Sequence, residues 1–131
     1  MTANVAGPIW EIVPFSVGQQ FTSADTTTKK TLVTAGSNGS RVDMIACDTN
    51  DTTAVNLAFY IGHSGTDYYI GNVSVPIGSG YTTVIRVEAI ATLSPVLGYI
   101  ALGPSDTLKV NCVATMTAAK TTDVVAMGGD Y

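Results

Sequence analysis

Residues 29–49 read KKTLVTAGSNGSRVDMIACDT. Two runs rich in β-branched and apolar residues, Thr31-Leu32-Val33-Thr34 and Val42-Asp43-Met44-Ile45, flank Ala35-Gly36-Ser37-Asn38-Gly39-Ser40, which is rich in residues that tolerate positive φ. Strand, turn and strand in that order predict a β-hairpin. Asn38-Gly39 suits its apex, because that dipeptide favours the primed turns that match strand twist, and the six-residue connection also allows a longer loop around it. Such a pair would set the register of every strand added to it.

Working outward, residues 9–17 (IWEIVPFSV) form the first extended candidate, with Pro14 confining it to an edge strand or a strand with a break. Residues 18–28 read as a polar loop. Downstream, Val55-Asn56-Leu57-Ala58-Phe59-Tyr60-Ile61 alternates and places Val55, Leu57, Phe59 and Ile61 on one face. Gly62-His63-Ser64-Gly65-Thr66 turns the chain into a partner strand, residues 67–75, in which Tyr68 and Tyr69 must point to opposite faces. Residues 76–81 (PIGSGY) break that strand. Residues 82–91 then alternate Ile85, Val87 and Ala89 against Arg86 and Glu88, a strand pattern whose Ala and Glu also leave a short helix open. A short strand over 97–102, a turn over 103–106, a long strand with Leu108, Val110, Cys112, Ala114 and Met116 on one face, a last strand over 123–127 and a short tail complete the chain. No sustained helical periodicity appears, and turn signals recur about every ten residues, the cue for an antiparallel all-β sandwich or barrel. Leu57, Phe59, Ile85, Val87, Leu108 and Val110 are its expected core.

The 131 residues suit a single domain over residues 9–131, preceded by a polar, small-residue segment over 1–8 that reads as a flexible arm. Only 12% of residues are charged, against roughly a quarter in ordinary soluble domains, while 46% are hydrophobic and the mean hydropathy is +0.30. A surface so poor in charge suits contacts with other subunits, so the chain is expected to belong to a larger assembly. With a net charge of −4 and six Lys and Arg, it lacks the basic patch that nucleic acid requires. Residues 89–103, the most hydrophobic stretch, contain Ser94-Pro95 and fall short of the ~20 apolar residues of a membrane helix.

Candidate chemistry is sparse. His63, Ser64 and Asp67 offer the residue types of a triad, but neighbours on one loop rarely converge as nucleophile, base and orienter, so a polar turn is expected. Asp48, Asn50 and Asp51 lack the spacing of a calcium loop, and one histidine with two distant cysteines does not assemble a zinc site. Cys47 and Cys112 sit in apolar strand patterns and read as buried thiols. No cofactor or metal is expected, and the chain is not expected to be an enzyme.

The order of these features, a short N-terminal arm, LVTAGSNGSRVDMI, then NLAFYIGHSGTDYYI and a terminal GGDY, resembles small virion structural proteins of tailed bacteriophages. That resemblance implies a jelly-roll-like sandwich and a capsid decoration or cement protein on the virion surface, assembled in the host cytoplasm, bound to the major capsid protein and forming a homotrimer. The candidate subunit contacts are Thr2, Ala3, Asn4 and Val5 in the arm, together with Trp10, Tyr68 and Tyr81; for Trp10, core packing is the favoured reading ahead of subunit contact. An alternative is a tail or fibre-associated adhesin in which Tyr60, Tyr68 or Tyr81 stacks on a sugar.

Overall fold

The computed structural model describes residues 13–131. Its strands are β1 (Val13–Phe21), β2 (Lys30–Thr34), β3 (Ser40–Thr49), β4 (Val55–His63), β5 (Thr66–Val75), β6 (Val87–Glu88), β7 (Ile100–Leu102), β8 (Thr107–Cys112) and β9 (Thr122–Asp130). One turn of helix, α1 (Ile90–Leu93), lies between β6 and β7. Every pairing is antiparallel: one sheet runs β1-β9-β3-β6 with β7 also on β3, and the other runs β2-β8-β4-β5.

β6 and β7 occupy successive stretches of one edge of β3, so they act as a single interrupted strand. Pairing is then nested: β1 with β9, β2 with β8, β3 with the interrupted strand, and β4 with β5. This wrapping is the jelly-roll form of the β-sandwich. Period-two alternation fills the space between the sheets: Phe21, Val42, Ile45, Val124 and Ala126 come from the β1 sheet, and Leu57, Phe59, Val73, Leu108 and Val110 from the β5 sheet. Each large side chain buried this way stabilises the fold by about 1.5–3 kcal/mol. Cys47 and Cys112 are free thiols within this core, and burial pushes both up, to about 12 and about 11.

Residues 29–49 supply two strands and a turn, but the strands do not form a hairpin. β2 pairs with β8 in one sheet, whereas β3 pairs with β9 in the other. The connection therefore crosses between sheets, and its hydrogen bonds show why: Ala35 N donates to Asp106 O (2.8 Å) and Ser105 N to Gly36 O (3.3 Å), tying it to the β7–β8 turn. The tight turn itself closes with Gly39 N on Gly36 O (3.1 Å), and Gly39 sits at φ +89°, where a Cβ would meet Leu102 O at 2.7 Å.

Other expectations shift similarly. β1, described from Val13, runs to Phe21, through the start of the expected polar loop, because Val17, Gln19 and Phe21 keep alternating against β9; the part of the first extended candidate before Val13 lies outside the described residues. β1 is an edge strand, as Pro14 requires. Over 82–91 only Val87–Glu88 is strand, and Ile85, expected in the core, is 83% exposed while Val87 is half-buried. Gly78 and Gly80, both at positive φ, coil residues 76–84 into consecutive turns, with Tyr81 N on Gly78 O and Gly80 N on Val84 O, so the alternation there has no partner strand. The short helix left open by Ala and Glu forms directly after Glu88. β8 stops at Cys112, where its pairing to β4 at Leu57 ends, leaving Ala114 exposed although Met116 returns to the core. β9 instead extends to Asp130, taking in most of the expected tail.

Candidate functional site

Thr2, Ala3, Asn4, Val5 and Trp10 lie outside the described residues. Tyr68 and Tyr81 are both about half exposed, but they belong to different places in the fold. Tyr68 is on β5, opposite Ile61, while Tyr69 turns to the other face and meets Tyr60 with ring centroids 5.7 Å apart. Tyr81 lies on the turns after β5 and donates its hydroxyl to Asp123 Oδ2 (3.4 Å), on the outer face of the β1 sheet. Tyr60, Tyr68 and Tyr81 therefore do not share one cleft.

That outer face carries a cleft. Alternation sends Val124 and Ala126 inward and leaves Asp123, Val125 and Met127 facing out; β3 does the same with Ile45 and Cys47 against Met44, Ala46 and Asp48. Register then sets Met44 beside Met127, Ala46 beside Val125 and Asp48 beside Asp123. On β1 the matching positions are Ser16, Gly18 and Gln20. The middle row thus reads Gly18, Val125, Ala46, and its two small members open a cleft of about 490 Å³, within the ~300–1,000 Å³ typical of ligand sites.

One end of the cleft is polar. Arg86 Nε donates to Asp48 Oδ2 (3.0 Å), and Gln20 Nε2 donates to Asp123 Oδ1 (2.9 Å). Asp48 is only 9% exposed, and its Oδ1 is buried without a hydrogen-bond partner. Burial first, and the neighbouring Asp123 second, push the Asp48 carboxyl up from its ordinary value; Arg86 opposes them without cancelling them. With both carboxylates ionised, the two acids and one guanidinium leave one negative charge in surplus.

A second feature is the connection between β5 and β7. Among the described residues, the large apolar side chains left exposed include Ile77, Tyr81, Val84, Ile85, Val96 and Leu97, all from this connection, with Ile85 and Val96 at 83% and 93%. Its base is fixed: buried Ser79 donates through Oγ to Pro76 O (2.8 Å) and accepts Thr49 N at its carbonyl (3.0 Å). These bonds tie the start of the connection to the end of β3.

The remaining candidates are spent on structure. His63 Nδ1 meets Asp106 Oδ1 (2.5 Å), whereas Asp67 holds Lys109 (3.0 Å) and Lys29 (3.3 Å), and Ser64 is in the turn between β4 and β5. Asp51 is buried and accepts Thr117 N (3.0 Å), Thr53 N (3.0 Å) and Thr53 Oγ1 (3.2 Å). Asn50 Oδ1 accepts Thr121 N (2.8 Å), so this segment anchors the loop before β9. Among the described residues, no group of three or more His, Cys, Asp or Glu side chains is placed to hold a metal ion, and no helix is long and apolar enough to cross a membrane.

Sequence reasoning missed Asp123, Arg86, Gln20 and both methionines of the cleft. The available signal was that residues 124–127 are apolar on both faces, which a strand with one face in plain solvent does not require. No protein-family model matches this chain, and no curated protein matches it in sequence.

Proposed function

We propose that this chain is a structural subunit of a bacteriophage particle, a decoration or cement protein that docks on the major capsid shell, stabilises it by contact, and occupies a symmetric position there as a homotrimer. The observation that carries the docking part is the β5–β7 connection, which leaves Ile85, Val96 and Leu97 exposed to solvent. Exposed apolar clusters on a charge-poor chain favour burial against another protein, and a few central anchors typically supply most of the affinity. The phage setting and the number three come from the resemblance of LVTAGSNGSRVDMI and NLAFYIGHSGTDYYI to small virion proteins. Jelly rolls recur in viral capsids, which fits this setting by analogy of fold.

Purified shells without this protein provide the test. The chain should sediment with them and raise the temperature at which they break open. The double variant Ile85→Asp, Leu97→Asp should keep its β-rich circular dichroism but lose at least about tenfold in shell affinity, the effect of removing interface anchors. Failure of the unaltered chain to bind shells would contradict the reading.

A further inference from the structure

We infer that the outer cleft of the β1 sheet is a binding site for a lysine or arginine side chain of a partner protein, with apolar residues flanking that side chain. The inference goes beyond the shell-docking reading and concerns a different feature of the surface, so either can fail alone.

Three observations converge. First, Asp48, only 9% exposed and lining the cleft, has a buried carboxylate oxygen with no hydrogen-bond donor. A buried acceptor left unpaired is unfavourable, and an incoming N–H group relieves that cost. Second, the only cation among the lining residues, Arg86, reaches Asp48 Oδ2 while its side chain stays 63% exposed, so it neutralises one of two adjacent carboxylates and leaves the other in surplus. That balance selects a cation and repels an anion. Third, the route to the carboxylates passes Met44, Met127, Val125 and Ala46, an apolar floor suited to the methylene stem of Lys or Arg and to the side chains beside it in its chain.

The pair also responds to pH. Asp48 faces Asp123 on β9, Arg86 and Tyr81 reach in from the turns after β5, and Gln20 comes from β1. Two carboxyls this close retain a proton more readily than one alone, so a proton and the ligand cation compete and affinity falls on acidification.

The test uses the full chain, isotopically labelled, titrated with the blocked peptide Ala-Leu-Arg-Leu-Ala and with the same peptide carrying neutral citrulline in place of arginine. Amide shifts should centre on Ala46, Asp48, Asp123 and Val125, and the citrulline peptide should bind about tenfold more weakly or worse, the worth of one charge-assisted hydrogen bond. Asp48→Asn should weaken the arginine peptide similarly. Gly18→Val offers a second handle: a Cβ at Gly18 meets only ordinary contacts, with Val125 Cγ2 at 3.5 Å, so the variant should fold normally, fill the middle of the cleft and block the peptide. Arg86→Ala removes the competing cation and should tighten binding. Equal binding of both peptides, unchanged affinity in Asp48→Asn and Gly18→Val, or loss of binding in Arg86→Ala overturns the inference. So does preferential binding of hexanoate, which assigns the cleft to anions, and so does pentylguanidinium binding as tightly as the arginine peptide, which assigns it to a free small molecule.

Discussion

Asp48 and Asp51 lie three positions apart, and burial acts on both, yet their carboxyls move in opposite directions. Burial alone would raise Asp51, but the donors from Thr117 and Thr53 outweigh it and hold the group down from 3.8 to about 2. A carboxyl whose folded value is depressed stabilises the fold above its unfolded value, and that stabilisation is lost as pH falls from 3.8 to about 2. At ~1.4 kcal/mol per unit the contribution is about 2 kcal/mol at neutral pH. Asp51→Asn should therefore lose about that much at pH 7 and show a flatter loss of stability in acid, measured by urea unfolding across pH 2–7. Asp48, raised in the folded state, works with the opposite sign: its favourable share is present below the ordinary carboxylate value and disappears as pH rises. Asp48→Asn should consequently cost no stability at neutral pH, in contrast to Asp51→Asn. Gly39 is the other decisive residue, since its left-handed backbone and the approach of Leu102 O both exclude a Cβ. Gly39→Ala should lower stability by about 1–3 kcal/mol, read as a fall in the thermal midpoint.

At the scale of elements, Glu88 shows how an interrupted strand is held. Its carboxylate accepts Ile45 N (2.9 Å) and Ile90 N (3.1 Å) at one oxygen and Ala91 N (3.0 Å) at the other, joining β3 to the start of α1. Ile45 is fully buried, so Glu88→Ala leaves its N–H without this acceptor and should cost about 1–3 kcal/mol in urea unfolding. The sequence made the elements legible wherever alternation was backed by a partner on each side. The β4–β5 hairpin was read correctly, although β4 runs on through Gly62 and His63 and the turn shortens to Ser64 and Gly65, and Leu57, Phe59, Leu108 and Val110 are buried as expected. Pairing was not legible, because a strand-turn-strand pattern is the same whether the second strand folds back on the first or crosses to the opposite sheet. Residues 31–45 took the second route, and the hydrogen bonds that decide it come from residues 105 and 106. Alternation over 82–91 misled for a related reason: two turn glycines four residues or fewer upstream leave only Val87 and Glu88 in reach of β3. The cleft was hidden by the same gap, since Asp48 and Asp123 become neighbours only through the β3–β9 register.

For the whole molecule, the jelly roll separates two surfaces with different chemistry. The outer face of the β1 sheet offers a cleft with a net negative end, while the β5–β7 connection offers exposed apolar side chains. A chain with 12% charged residues is suited to covering such surfaces with other subunits, and the proposed assembly role rests on that combination. The most direct measurement is electron microscopy of the intact particle at a resolution that traces β-strands. The expected density shows the sandwich on the outside of the capsid shell, related to its copies by a threefold axis, with Ile85, Val96 and Leu97 buried against the shell. Density for this chain in which the β5–β7 connection faces solvent, or in which the chain is absent from the shell, would contradict it.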